Sequence, residues 1–152
     1  MTKDEINKAL DSSDWYTRVS AIEQQTATPD NINKALDDIN DVVRHIAASH
    51  PNATEENINK ALDDIYDHVR VVAICHKNAT PANIDKALNN KSTNVRKYAI
   101  EHENVTPANI DKALNSQSLK IKLAAMNHPN ATKANKEKAA NDPMLIAYLL
   151  KQ

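Results

Sequence analysis

The chain has 152 residues, 19 basic and 20 acidic, with a net charge of −1, so as a whole it is neither a polycation built for nucleic acid nor an acidic mimic of one. Its single cysteine, Cys75, excludes an internal disulfide framework, a Cys-ligated zinc site and a cysteine-bound iron–sulfur cluster. The charged start Met1-Thr2-Lys3-Asp4-Glu5 and the short apolar run from Met144 to Leu150 point to a cytoplasmic protein with no membrane span.

Thr2, Thr28, Thr54, Thr80, Thr106 and Thr132 stand 26 residues apart, without insertion or deletion. A period of roughly 20 to 50 residues marks units that cannot bury their apolar faces alone and share a core with stacked neighbours. The prediction is a single all-α repeat domain over residues 1–152. It is an α-solenoid of six two-helix repeats, near 2–27, 28–53, 54–79, 80–105, 106–131 and 132–152.

Each repeat opens with its threonine as N-cap, followed by proline at the first helical position in Pro29, Pro81 and Pro107. Thr2 and Glu5 read as a capping box, and Asn31, Asn57, Asn83, Asn109 and Asn135 later replace the acid with an amide. Ile32, Ala35 and Leu36 share one side of a helix about ten residues long. After a short polar gap, Val43, Ile46 and Ala47, and then Val69, Val72 and Ala73, form the stripe of a second, more buried helix. Asn52, Asn78, Asn104 and Asn130 are expected to end it in the left-handed conformation, because the chain has no glycine. The last repeat departs from the pattern: Lys136 replaces Ile, Ala140 replaces Leu, and Asp142-Pro143 starts a helix out of register. Abundant Asn, Lys and Ile suit an AT-rich genome, such as many phages have.

The run Val-Arg-x-x-Ala-x-x-His-Pro-Asn-x-Thr-Pro-x-x-Ile-x-x-Ala-Leu resembles the leucine-rich repeat variant family, and is similar to the wider HEAT-like class of helical solenoids. The resemblance extends through all six repeats, weakly in the first and last. It implies a right-handed curved stack used for binding, and no reaction. Members of that family can open each repeat with a 3₁₀ element and can carry an iron–sulfur segment, for which this chain lacks the cysteines. No cofactor or metal is expected.

Three recurring columns invite a functional reading. Arg18, Arg44, Arg70 and Arg96, continued by Lys122, form either a ladder for anionic partners or a structural ladder onto Asp11, Asp37, Asp63, Asn89 and Asn115. Lys8, Lys34, Lys60, Lys86, Lys112 and Lys138 form either a line for a polyanion or i,i+4 support such as Asp4–Lys8, Asp30–Lys34 and Glu56–Lys60, which leaves the last three without acids. His50, His76, His102 and His128 lie one repeat apart, about 10 Å between packed helices, too far to share a metal. A structural role, with the ring bonding a terminal helix carbonyl and gaining from the dipole, is expected of them. His45 and His68 read as isolated surface residues.

The columns that vary point to recognition. Trp15, Tyr16, Val19, Val42, His45, His68 and Val71 are the candidate contacts of a non-catalytic protein–protein interaction scaffold, led by the two aromatics. The alternative is nucleic-acid binding through Lys34, Lys60, Lys86, Lys112, Arg44, Arg70 and Arg96. A further alternative is a self-associating structural protein joined through Met144–Leu150.

Overall fold

Every repeat opens in the same way because two side chains close its first turn reciprocally. In the second repeat the Asn31 N–H donates to Thr28 Oγ1 at 3.3 Å, and the Thr28 N–H donates to Asn31 Oδ1 at 2.9 Å. The same box forms in all six repeats, with Glu5 as the partner of Thr2. Each such cap contributes about 1 kcal/mol. That matters because these first helices have only seven or eight residues, too few to persist alone.

The computed structural model describes residues Met1–Gln152, all helical and without strands. The chain divides into two compact halves at a repeat boundary, Met1–Ala79 and Thr80–Gln152. In the first half, α1 (Lys3–Ala9), α3 (Pro29–Ala35) and α5 (Glu55–Ala61) pack in sequence as one layer. The other layer is α2 (Trp15–Ile22), α4 (Asp41–Ser49) and α6 (Asp67–Ile74). Each first helix packs on the second helix of its own repeat. Between the layers Ile6, Ile22, Ile32, Val43, Ile58, Val69 and Ile74 are fully buried, each worth about 2 kcal/mol relative to exposure.

The second half repeats the arrangement. There α7 (Pro81–Leu88), α9 (Pro107–Leu114) and α11 (Lys133–Ala140) form one layer, and α8 (Thr93–Glu101), α10 (Leu119–Met126) and α12 (Pro143–Leu149) the other. Ile84, Val95, Ile100, Ile110, Leu114 and Ile121 fill the core. At its end Lys136 and Ala140 are exposed. Because α10 begins at Leu119, the 26-residue period puts the next start at 145; α12 begins at Pro143 instead, and this shift delivers Leu145 fully buried into the core. The fold is therefore an α-solenoid of two-helix repeats, and the first element of each repeat is α rather than 3₁₀.

One local expectation fails. No residue has positive φ, so Asn52, Asn78, Asn104 and Asn130 do not end their helices in the left-handed conformation. The helices stop earlier: α4 closes at His50 in extended backbone, and α6 at Cys75 in helical backbone. The asparagine side chains are used differently. Asn52 Nδ2 donates to the carbonyls of Gln25 and Ala27 in the preceding repeat at 3.0 and 2.9 Å. Asn130 does the same to Glu103 and Val105 at 3.1 and 2.8 Å.

Candidate functional site

The arginine column is a structural clamp, but with a different acid column from the expected one. Arg18 Nε and Nη2 donate to Asp38 Oδ2 and Oδ1 at 2.6 and 2.9 Å, and Arg44 grips Asp64 likewise at 2.6 and 3.2 Å. The acceptors lie one residue beyond Asp37 and Asp63. Position 38 also makes a local turn, with Asp38 Oδ1 accepting from the Asn40 N–H at 2.8 Å, which fixes its carboxylate for the guanidinium. The hydrogen bond to Asp64, outweighing burial, holds Arg44 above its ordinary pKa. Burial would raise Asp64, but the bonds from Arg44 and the Tyr66 N–H, with the nearby positive charge, hold it below the usual carboxylate range.

The remaining arginine nitrogen clamps the loop between the helices. Arg44 Nη1 donates to the carbonyls of Asp38 and Ile39 at 2.7 and 3.2 Å, and Arg70 Nη1 to those of Asp64 and Ile65 at 2.6 and 3.1 Å. Arg96 does so to Asn90 and Lys91 at 2.6 and 3.1 Å, but its Nη2 finds only Thr93 Oγ1, at 3.1 Å. Arg70 Nε is buried without a partner. Lys122 restores an ion pair, with Asp142, whose carboxyl is held low first by that bond and then by the Leu145 N–H.

The lysine column is also turned onto the scaffold, and not through the expected i,i+4 pairs. Lys34 meets Asp11 and Lys60 meets Asp37, both at 2.7 Å and both in the preceding repeat. Asp30 meets Lys3 instead of Lys34. Lys112 and Lys138, expected to lack acids, reach Asp85 and Asp111 at 2.9 Å. Each of these lysines also donates to a main-chain carbonyl at the end of the preceding first helix, as Lys34 does to Asn7 at 2.7 Å. A carbonyl row there is the unsatisfied end of a helix, and an ammonium suits it.

The histidines bond carbonyls as expected, but across repeats. His76 Nε2 donates to the His50 carbonyl at 2.9 Å, while its Nδ1 accepts from the Asn78 N–H at 3.0 Å. His50 and His128 repeat the pattern with Gln24 and His102. Because Nδ1 is an acceptor, the ring is the neutral Nε2–H tautomer. The expected charge–dipole gain is therefore not what holds it. No group of three or more His, Cys, Asp or Glu side chains is placed to hold a metal ion.

Among the varying columns, Trp15, Tyr16 and Val42 are exposed at 46%, 65% and 42%, and Trp15 and Tyr16 meet edge-on with centroids 6.1 Å apart. Val19 is a correction: it is buried at the inward edge of α2, because Arg18 beside it turns toward Asp38 at the margin of the apolar stripe. Val71 is half-buried. His45 and His68 are not isolated; their rings lie 5.5 Å apart, His68 Nε2 is 3.2 Å from Asp41 Oδ2, and His45 Nδ1 is buried without a partner. The Tyr66 ring lies tilted by 40° with its centroid 5.7 Å from that of His68, and carries the Arg44 guanidinium at 5.5 Å. On α12, Ile146 and Leu149 are exposed, as is Leu150 at its C-cap.

Sequence reasoning missed Ile39 and Ile65, 93% and 77% exposed, and their neighbour Tyr66. The interhelix gap had read as polar. The signal was present in the column Ser13, Ile39, Ile65, Lys91, Gln117, which turns apolar in two repeats of one half only. With the loop carbonyls pulled inward by Arg44 and Arg70, the side chains at this position face solvent.

The architecture, repeats of two short helices stacked in two layers, has a counterpart among solved structures. The fold is that of a leucine-rich repeat variant. A structure described as a leucine-rich repeat variant with a novel repetitive protein structural motif superposes with a TM-score of 0.66 at 16% sequence identity, over 84% of this chain. This chain spans about half, 51%, of that protein's length. No protein-family model matches the sequence, and neither does any curated protein. The leucine-rich repeat variant likeness therefore extends to architecture alone. No helix is long and apolar enough to cross a membrane.

Proposed function

We propose that this chain is a non-catalytic interaction scaffold whose first half presents Trp15, Tyr16, Ile39, Val42, Ile65, Tyr66 and His68 to a folded protein partner. The observation that carries the reading is the exposure of Ile39 and Ile65, 93% and 77%, on loops whose carbonyls Arg44 and Arg70 hold. Large aliphatic side chains kept rigidly in water gain about 2 kcal/mol each on burial, and a rigid loop loses little entropy when they are covered. Trp15 and Tyr16 add the aromatic anchors that dominate interfaces. Most of the cationic side chains are engaged by the scaffold, Arg18, Arg44, Lys34, Lys60, Lys112 and Lys138 across repeats and Arg70 and Arg96 within their own, which supports a surface that recognises by shape and apolar contact.

The test is affinity capture from the source cells with the full chain as bait, comparing wild type with Trp15→Ala and with Ile39→Lys/Ile65→Lys. The expected result is a specific protein retained by wild type at raised salt and lost by about tenfold or more in the variants, each change removing roughly 2 kcal/mol. Thermal unfolding of the variants should match wild type, because these side chains are exposed. Capture that the variants leave unchanged overturns the reading. Retention of nucleic acid alone, falling steeply with salt, overturns it in favour of phosphate binding.

A further inference from the structure

The loops that follow the second helices carry notches in each half, at one phase of the repeat. In the second half a cavity of about 450 Å³ has Ile100, Ala124 and Pro129 as apolar lining, with Glu101 and Glu103 beside them. Three periods of 26 earlier, so 78 residues back, Glu23, Gln25, His50 and Pro51 line a cavity of about 560 Å³ in the first half. A third notch, of about 290 Å³, has Ser49 at the place of Glu101, Pro51 at that of Glu103 and Lys77 at that of Pro129. The notch is thus made by the scaffold, and two varying columns set its charge.

We propose that the Glu101–Glu103 notch binds an arginine side chain of a partner polypeptide. Neither carboxylate has an ion-pair partner, whereas Asp85, Asp111 and Asp142 in the same half each hold a lysine. The walls are fixed before any ligand arrives. His128 is tied on both ring nitrogens, to the His102 carbonyl and the Asn130 N–H, and the Glu103 carbonyl accepts from Asn130 Nδ2 at 3.1 Å. An arginine fits this chemistry on two counts. Its stem covers the accessible surface of Ala124 and Pro129, and its planar, weakly hydrated guanidinium tolerates an apolar wall while donating to carboxylates. A lysine ammonium is compact and strongly hydrated, and loses more on entering an apolar notch. The volume lies within the roughly 300–1,000 Å³ typical of small-ligand sites. This site is independent of the aromatic surface in the first half, and either can fail without the other.

The experiment is an amide NMR titration of the full ¹⁵N-labelled chain with N-acetyl-L-arginine amide and with N-acetyl-L-citrulline amide, its neutral isostere. Arginine should shift the amides of Glu101, Glu103, Asn127, His128 and Asn130 in a saturable way. Citrulline should bind about tenfold more weakly or not at all, since it lacks the charge-assisted bonds. Glu101→Gln/Glu103→Gln should weaken arginine by a similar factor while keeping the spectrum of a folded chain. Equal shifts from citrulline, or arginine shifts confined to other residues, overturn the proposal without needing the variant.

Discussion

The two halves share one scaffold and differ in how their arginines are held. In Met1–Ala79, Arg18 and Arg44 grip Asp38 and Asp64 with two nitrogens each, and Arg70 meets Asp67 of its own helix; in Thr80–Gln152, Arg96 has no carboxylate, because the position 20 residues on is Ser116. The threonine, asparagine, histidine and lysine contacts, by contrast, recur in both halves with little change. The difference lies in what the partner atom is. Asn57, Asn109, His76, His128, Lys60 and Lys112 all donate to main-chain carbonyls, and a carbonyl is present whatever residue carries it. An arginine–aspartate pair needs two side chains at once and is lost when one drifts. The drift is itself selective. Asn90 and Ser116 still accept from the N–H two residues on, as Asp38 and Asp64 do, so they keep the turn and lose only the ion pair.

This contrast can be broken by experiment. Arg44→Ala should destabilise by about 3 kcal/mol in urea unfolding, because it strands the largely buried Asp64 carboxylate, whereas Arg96→Ala, leaving no acid behind, should lose about 1 kcal/mol. Equal losses would show that the carboxylate adds nothing to the loop clamp. Asn57→Asp and Asn109→Asp should each lose about 2 kcal/mol, and by the same amount in both halves. An aspartate keeps the capping acceptor but cannot donate to Pro29 or Pro81 and puts a buried charge there. A large difference between the two would break the rule that main-chain partners make a column uniform.

Acid adds a smaller, directional test. Asp64 and Asp142 are held below their unfolded value, which is about 3.9, so their contribution is complete above that pH and is lost as pH falls through the lower folded value. Melting temperature should therefore drop below about pH 4, and Asp64→Asn should be less stable at neutral pH with a shallower acid limb. An identical acid limb in the variant would remove Asp64 from the account. The smallest effect is a gain. Ser116→Asp supplies a carboxylate in Arg96's acceptor column and should stabilise by about 0.5 kcal/mol, read as a shift of the urea midpoint; a loss would mean that the second half cannot accept the clamp.

Much of the site chemistry was visible in the columns, and the misses have a common cause. The arginine ladder was legible as a scaffold, yet its partner was placed at Asp37 and Asp63 instead of Asp38 and Asp64. Loop conformation, which the sequence period does not contain, sets that one-residue difference. Lys34 and Lys60 have acids four residues back on their own helices, Asp30 and Glu56, but the acids they meet, Asp11 and Asp37, belong to the preceding repeat. Ile39 and Ile65 do not stand out in the sequence, because a gap between helices reads as polar by default. Their exposure became meaningful only once Arg44 and Arg70 were seen to hold the loop carbonyls.

What the sequence by itself determined is everything that depends on neighbours along the chain: the 26-residue period, the threonine caps, the apolar stripes and the broken register of the last repeat. Capping, proline placement and helical periodicity act within a few residues, so one strand of text contains all their terms. The tertiary structure alone decided where the asparagines, histidines and lysines send their donors, that Val19 lies inside and that Ile39 and Ile65 lie outside. Those outcomes depend on which backbone carbonyl of an adjacent repeat stands within about 3 Å of a side chain, and that distance exists only after the repeats have stacked.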